Sequence, residues 1–267
     1  MTARAVRAKA LLAHRAVSYV DLHLHLLPGI DDGAKTMEET LRHARRLHAE
    51  GVRDVACTPH IKRAHFPRVP LEDLAPLRED VQDEIDRAGL SVRVHGGGEL
   101  AHDDALALAP EQLELVAQGP PGARWLLLEC PFAGLEDDFE AAAERLWDLG
   151  YGLLLAHPER AAGGHERLPG LLQRGALLQV NVSSLLGNHG LDAQEMAVDL
   201  VRNGRAYCLA SDGHPGTREH TQQLGFHLLI RAGASSVQAY RLTQSNPRFL
   251  LLQGLSAGFE LDVLQVR

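Results

Sequence analysis

The most informative stretch of this sequence is YVDLHLH, from Tyr19 to His25, which is typical of a short β-strand. In a β-strand successive side chains point to opposite faces, so Asp21, His23 and His25 share one face and the two leucines between them share the other. Two histidines at positions i and i+2 can hold one metal ion, because imidazole nitrogen is a good ligand for zinc, manganese and iron. A half-buried strand with incidental histidines is the alternative, and the ends of the later strands argue against it.

The composition sets broad limits on the class of protein. A chain of 267 residues with 45% hydrophobic residues can bury a full core, as one barrel-sized domain or as two small ones. The formal net charge of −8 argues against nucleic-acid binding. No apolar run approaches the roughly 18 residues that span a bilayer, so we expect no stable membrane insertion. Cys57, Cys130 and Cys208 show no CxxC spacing and lie in predicted apolar strands, which is typical of reduced core thiols and favours a cytoplasmic location.

The first 18 residues differ from the rest, because they carry four arginines or lysines and no acid. A secretory signal is not expected, since the segment has no long apolar region. A transit peptide, a surface helix and a misassigned start codon all stay open. We predict a dispensable basic extension over residues 1–18 and a single domain over residues 19–267, because no linker rich in proline, glycine and serine interrupts the chain. The prolines at 67, 70 and 76 indicate a loop.

Apolar runs alternate with amphipathic segments along the chain. The predicted strands cover residues 19–25, 52–58, 92–97, 124–129, 151–156, 177–182 and 206–211, and the predicted helices cover residues 36–50, 71–88, 135–149, 166–174, 192–203 and 218–232. Repeated strand–helix alternation with near-continuous apolar strands predicts an α/β fold with parallel pairing. A doubly wound open sheet is one solution. We favour a barrel, because unusual polar residues lie at the C-terminal ends of most strands, where barrel active sites form.

Histidines and carboxylates follow nearly every predicted strand. In chain order they are His23, His25, His60, Glu99, Glu129, His157, Asp212 and His214, with Asn181 at another strand end and with Asp31 and Asp32 in the loop after the first strand. A buried carboxylate without a partner is costly, so clustered carboxylates need cations. Few lysines or arginines lie at these ends, which indicates metal ions.

These residues form motifs that resemble those of a known family. DLHLH at residues 21–25, PGIDDG at 28–33, TPH at 58–60, AHPER at 156–160 and SDGH at 211–214 are similar to motifs of the PHP (polymerase and histidinol phosphatase) superfamily. On PGIDDG and AHPER, the closer resemblance is to the bacterial manganese-dependent protein-tyrosine phosphatases of capsule and exopolysaccharide systems. The resemblance runs from about Tyr19 to Pro247. It implies a distorted, TIM-like (β/α)7 barrel of the PHP type, with the active site at the C-terminal strand ends.

The resemblance also implies a centre of three divalent metal ions. By analogy, His23, His25, Glu99 and Asp212 hold the first ion, Glu99, Glu129 and His157 hold the second, and Asp32, His60 and His214 hold the third. Asp31 is an alternative to Asp32. Mixed histidine and carboxylate ligands suit Mn²⁺, the ion that the resemblance implies, and they also fit Fe²⁺ or Zn²⁺.

Such a centre suits the hydrolysis of phosphate esters. A hydroxide bridging two ions could attack phosphorus in line, while the ions neutralise the phosphoryl oxygens. Arg160, three residues after His157, could clamp phosphate oxygens, or it could form only a salt bridge with Glu159. Arg218 is either a second clamp or a charge in the first turn of a helix.

We therefore hypothesise a metal-dependent phosphatase that acts on protein phosphotyrosine, with the tail of a tyrosine kinase of capsule or exopolysaccharide synthesis as its partner. One alternative keeps the site but takes a small metabolite, such as histidinol phosphate or a nucleotide. Another is a catalytically silent, metal-binding module that docks a kinase or the polysaccharide machinery. The oligomeric state stays open, and an oligomer is compatible with the sequence.

The remaining polar residues are assigned to other roles. Lys62 and Arg63 could contact phosphate or an acidic peptide, but exposed, solvated charges are the favoured interpretation. His43 and His48 are predicted to lie on the surface of an amphipathic helix. His102, three residues after Glu99, is the one further histidine that could join the site.

Overall fold

The protein, described here from a computed structural model, has nine strands in two parallel sheets over the described residues 18–67, 69–163 and 166–258. The strands are β1 (Tyr19–Leu24), β2 (Val52–Cys57), β3 (His60–Ile61), β4 (Arg93–His95), β5 (Glu99–Leu100), β6 (Trp125–Glu129), β7 (Gly152–Ala156), β8 (Leu177–Asn181) and β9 (Ala206–Ala210). One sheet has the order β1-β2-β4 and the other has the order β3-β5-β6-β7-β8-β9. Every pairing in both sheets is parallel, which confirms the predicted α/β class.

Two short strands that the sequence did not predict, β3 and β5, lie just beyond the predicted strands 52–58 and 92–97 and account for the higher strand count. β2 and β3 are separated by Thr58 and Pro59, and proline cannot donate a ladder hydrogen bond. β4 and β5 are separated by three glycines, of which Gly98 packs so closely that an added Cβ would lie 2.7 Å from Ile61 Cγ1. Each interruption moves the chain from one sheet to the other. His60 and Glu99 are therefore the first residues of β3 and β5, rather than loop residues after β2 and β4.

The two sheets approach each other again where β1 meets the chain after β9. The Asp212 amide donates to the His23 carbonyl over 3.0 Å, and the His25 amide donates to the Gly213 carbonyl over 2.9 Å. The Asp21 carboxylate accepts a further bond from the Ser211 amide over 3.1 Å. These bonds place the first and last strands side by side, as the predicted barrel order requires, and they act at the strand ends that carry the candidate ligands.

Helices cover the outside of the sheets. They are α1 (Met37–Ala49), α2 (Leu74–Arg87), α3 (His102–Ala107), α4 (Pro110–Val116), α5 (Asp137–Asp148), α6 (Leu168–Gln173), α7 (Val182–Leu185), α8 (Leu191–Arg202), α9 (Gln222–Arg231), α10 (Ser236–Tyr240) and α11 (Asn246–Gln253). Thr36 caps α1 by accepting a bond from the Glu39 amide over 3.3 Å. Pro76, predicted to lie in a loop, is instead in the first turn of α2, where proline is tolerated.

The core confirms the interpretation of the cysteines. Cys57, Cys130 and Cys208 are free and buried, and burial raises the pKa of each thiol. Within the described part of the chain, no helix is both long and apolar enough to cross a membrane. The basic extension lies outside the described residues except for Ser18, so the division into residues 1–18 and 19–267 stays a prediction.

The prediction that His43 lies on the surface is wrong. Its side chain is 1% exposed, on the face of α1 that also buries Ala44 and Leu47. Neither ring nitrogen has a hydrogen-bond partner among the described residues. Because burial disfavours the imidazolium form, the pKa of His43 is lowered to about 4.

This burial predicts a specific loss of stability in mild acid. The folded-state pKa of about 4 lies below the usual value of about 6.5, so the stabilisation from neutral His43 is complete above pH 6.5 and is lost as pH falls toward 4. We expect His43→Leu to remove about 2 kcal/mol of the fall in unfolding free energy between pH 7.5 and 5, measured by urea titration. His227→Leu, at an exposed histidine of α9, should leave the pH dependence unchanged. Equal pH slopes for His43→Leu and the unmodified protein would contradict this account.

Candidate metal centre at the strand ends

The two histidines of the opening motif turn the same nitrogen toward one point. His23 Nε2 and His25 Nε2 are 3.2 Å apart, and both side chains are fully buried. Their other nitrogens have partners: His23 Nδ1 lies 2.9 Å from Gln179 Oε1, and His25 Nδ1 lies 2.7 Å from Asp31 Oδ2. A partner on Nδ1 fixes the ring orientation and leaves Nε2 available as a ligand atom.

Glu99 lies at the centre of this arrangement. Its Oε2 atom is 3.2 Å from His23 Nε2, 3.4 Å from His25 Nε2 and 2.9 Å from His60 Nδ1. Its Oε1 atom lies 2.7 Å from His157 Nε2. Burial alone would raise the pKa of this carboxyl, but the surrounding imidazoles, led by His23 and His60, hold the pKa well below its usual range.

The two neighbouring aspartates of the loop have different places. Asp31 accepts bonds from the amides of Gly33 and His60, each over 2.9 Å, besides its contact with His25. Asp32 instead points its Oδ1 at His214 Nε2, 3.1 Å away. Asp31 therefore orients a histidine and the loop, while Asp32 faces the cleft.

Asp212 completes the cluster on the side of the last strand. Its Oδ1 atom is 3.6 Å from His23 Nε2 and 3.5 Å from His25 Nε2. Its pKa, which burial alone would raise, is held well below the usual range by the positive charges of His23 and its other neighbours. Asp212 (φ 48°) and His157 (φ 37°) are the non-glycine residues with positive φ in the described ranges. Such strained backbone persists where surrounding structure holds it, commonly at functional sites.

The donors fall into four overlapping groups in which the ligand atoms lie within 4.8 Å of one another. The groups are His25, Asp32, His60 and His214; His23, Glu99 and His157; His23, His25 and Asp212; and His60, Glu99 and Glu129. All nine predicted ligands are therefore brought together. A separate group of His102, Asp103 and Asp138 lies near the surface, so His102 does not join them.

The chemistry of the donor set fits divalent metal ions. Glu99 Oε2 and His60 Nδ1 lie 2.9 Å apart but are not aligned as a hydrogen bond, and neither they nor the buried His157 Nδ1 has a hydrogen-bond partner within the described chain. His23 Nε2 and His25 Nε2 face each other at 3.2 Å. Two acceptor nitrogens cannot bond to each other, whereas a cation between them satisfies both. Histidine and carboxylate donors without cysteine match borderline and hard ions.

Strand β8 contributes two side-chain amides, which form a chain of hydrogen bonds beside the candidate centre. Gln179 Nε2 donates to Asn181 Oδ1, and Asn181 Nδ2 donates to Asp212 Oδ2, each over 2.8 Å. Asn181, which the sequence places at a strand end, thus holds Asp212 through a hydrogen bond. Sequence reasoning missed Gln179, although a glutamine two residues before Asn181 in a buried strand was a usable signal. It also missed that Glu159 is buried and accepts from the Asn181 amide over 2.9 Å.

Two arginines lie at the rim of the centre. Arg160 Nη1 is 3.1 Å from Asp212 Oδ2, and no salt bridge joins Arg160 to Glu159 among the described contacts. Arg218 Nη2 is 2.8 Å from Asp212 Oδ1 and also 2.8 Å from His214 Nδ1. Arg218 lies before the first turn of α9 (Gln222–Arg231), in a turn that bridges back to His214, because the helix begins later than predicted.

The prediction that Lys62 is an exposed, solvated charge is wrong. The side chain is partly buried, and Nζ lies 3.1 and 2.9 Å from the two carboxylate oxygens of Glu129. The neighbouring Arg63 has a more exposed side chain, whose Nε lies 3.6 Å from Asp104 Oδ1. The cleft above the cluster has a volume of about 340 Å³ and is lined by Lys62, both arginines, seven of the candidate ligands and three other side chains.

The fold and this cluster define a class of α/β proteins that gather histidines and carboxylates at the C-terminal ends of parallel strands. The chain belongs to the capsular polysaccharide synthesis CpsB/CapC family, whose model matches residues 19–251. It is 29% identical over 203 residues to a putative tyrosine-protein phosphatase CapC of Staphylococcus aureus, covering 73% of this chain and 76% of the relative. It is also 29% identical over 242 residues to the tyrosine-protein phosphatase YwqE of Bacillus subtilis (strain 168), covering 85% and 89%.

The solved structures include a relative of the same kind. A structure from a study of YwqE from Bacillus subtilis and CpsB from Streptococcus pneumoniae, described as metal-dependent tyrosine phosphatases, superimposes with a TM-score of 0.73 at 25% identity. The match covers 89% of this chain and 96% of that one. The predicted family resemblance is therefore confirmed.

The loop that carries both aspartates has no room for a side chain at Gly33. An added Cβ would lie 2.3 Å from the His25 carbonyl oxygen and 2.5 Å from His25 Cβ. We expect Gly33→Ala to displace the loop and to lower the free energy of unfolding by about 1–3 kcal/mol, measured by urea titration. Gly170→Ala, in α6 with open space around the new Cβ, should be neutral or stabilising. Equal stability of the two variants would show that the loop is not tightly packed against His25.

Proposed function

We propose that this protein is a metal-dependent phosphatase that hydrolyses phosphotyrosine in proteins. The observation that carries the proposal is the buried Glu99 carboxylate ringed by imidazoles, in the same cleft as the guanidinium groups of Arg160 and Arg218. Membership of the CpsB/CapC family and the names of the relatives support the same activity.

We further propose that the nine converging side chains hold up to three divalent ions. His23, His25, Glu99 and Asp212 would hold the first, Glu99, Glu129 and His157 the second, and Asp32, His60 and His214 the third. The four donor groups overlap at His23, His25, His60 and Glu99, which supports closely spaced ions. Mn²⁺ is the proposed native ion, and Fe²⁺ or Zn²⁺ would fit the same donors.

When bound, the ions would supply Lewis-acid chemistry at phosphorus and a nucleophile drawn from water at neutral pH. The chain would bind and orient the substrate. Arg160 and Arg218 both hold a guanidinium beside Asp212, within reach of phosphoryl oxygens, and planar guanidinium groups bind phosphate through paired hydrogen bonds. The phenolate leaving group of phosphotyrosine has a pKa of about 10, so it departs with less help from a general acid than an alkoxide needs.

The biological setting follows from the family. We propose that the substrate is a phosphotyrosine protein and that the partner is the tail of a tyrosine kinase in capsule or exopolysaccharide synthesis. A cytoplasmic location stays a prediction, as does an oligomeric state.

A direct comparison of substrates tests the activity. We expect Mn²⁺-dependent phosphate release from a phosphotyrosine peptide, little release from histidinol phosphate, and loss of release with EDTA. A double variant, His23→Ala with His25→Ala, should lower the rate by at least about 100-fold, because even changes behind metal ligands commonly cost 10- to 100-fold. His227→Ala is the control at an exposed histidine. Preference for histidinol phosphate would support a metabolic enzyme, and silence on both substrates with metal bound would support a docking module.

The loop aspartates can be assigned by metal content. We expect Asp32→Asn to lower bound Mn²⁺ by about one ion per chain, because it removes a ligand atom that faces the cleft. Asp31→Asn should keep the count at saturating Mn²⁺ but weaken affinity by about 10- to 100-fold, since it removes the partner of His25 Nδ1. Mass-spectrometric metal analysis after desalting and a Mn²⁺ titration would measure both, with Asp83→Asn as an exposed control. The opposite pattern would make Asp31 the ligand.

A further inference from the structure

The cleft offers apolar surface at two positions. Thirteen described residues line it, and eleven of them are charged or polar. The other two are phenylalanines, Phe66 and Phe132, on the loops after β3 and β6. An aromatic group that enters this cleft can therefore make apolar contact chiefly with these two rings.

Of the two rings, Phe132 is the more available. It is 53% exposed, although it is a large apolar residue, and one face contacts Arg160, whose guanidinium carbon lies 4.3 Å from the ring centroid. Phe66 is only partly exposed and is stacked on His60, with a centroid distance of 5.1 Å and an interplanar angle of 3°. A large exposed aromatic side chain beside a charged site commonly marks a contact with a ligand.

We propose that Phe132 determines specificity by contacting the aromatic ring of the substrate while Arg160 binds its phosphate. This inference rests on the proposed function. Arg160 contacts Phe132 and also reaches Asp212 at 3.1 Å, so a phosphate bound by this guanidinium lies within one side-chain length of the Phe132 ring. The ring of phosphotyrosine directly bears the phosphate and would meet Phe132 in offset or edge-to-face contact. The short alkyl chain of phosphoserine has no ring to make that contact.

Binding of non-hydrolysable ligands tests this role without requiring turnover. The probes are phenylphosphonate and methylphosphonate, titrated calorimetrically into the Mn²⁺-loaded full-length protein. We expect phenylphosphonate to bind about tenfold more tightly than methylphosphonate. Phe132→Ala should reduce that preference to within about twofold and leave methylphosphonate binding unchanged, whereas Phe132→Trp should restore the preference because it restores an aromatic face.

The control and the contrary outcomes separate specificity from a structural role. Leu191→Ala, at another exposed apolar residue, should change neither affinity. Equal weakening of both ligands in Phe132→Ala would mean that the ring only positions Arg160, and this would overturn the proposal. So would the absence of a phenyl preference, or of any phenylphosphonate binding, in the unmodified protein.

Phosphate release is measured in parallel on two peptides of one sequence, with phosphotyrosine or phosphoserine. Release from neither peptide by the unmodified protein would refute the proposed function, while the phosphonate affinities still decide the role of Phe132. Release from the phosphotyrosine peptide with an unchanged preference in Phe132→Ala would refute the role of Phe132 alone.

Discussion

The structure depends on charge compensation around one buried carboxylate. Glu99 is 1% exposed and has imidazole nitrogens at both of its oxygens, from His23, His25, His60 and His157. A carboxylate in this position without cations would be too costly to keep ionised. The histidines provide part of that compensation and metal ions would complete it, because buried donor atoms still lack partners among the described residues. The strand order and the loop conformation place Glu99 and these histidines together, and the rim arginines lie beside them.

Irregular backbone positions the atoms of the candidate ligands. The Pro59 and Gly98 breaks transfer the chain between the sheets, so that His60 pairs in register with Glu99 on short strands. His157, directly after β7, and Asp212, two residues after the end of β9, adopt left-handed conformations. Regular strands point alternate side chains to opposite faces. The interruptions and the left-handed residues change the direction of the chain at the strand ends, and this turns side chains from different strands toward a common centre.

Amide and carboxylate side chains orient the candidate ligands through hydrogen bonds on the side away from the cleft. Gln179 links His23 to Asn181, and Asn181 links onward to Asp212, which connects β1, β8 and β9 through side-chain hydrogen bonds. Asp31 likewise orients His25 through its Nδ1 atom and accepts hydrogen bonds from the amides of Gly33 and His60. Because the Nδ1 atoms of His23 and His25 are both engaged, their Nε2 atoms are directed to the candidate centre before any ion or substrate arrives.

The class of fold and the types of candidate ligand could be predicted from the sequence alone, because strand periodicity and the chemistry of histidine and carboxylate are local properties. The sequence did not reveal that His43 is buried as His23 is, since burial of a helical residue depends on which helix face packs inward. Nor did it pair Lys62 with Glu129, 67 residues away. That Asp32 faces the cleft and Asp31 does not became clear from the tertiary structure, because adjacent loop residues differ in direction rather than in chemistry. The tertiary structure alone placed Phe132 against Arg160, since that contact joins loops from two different strands.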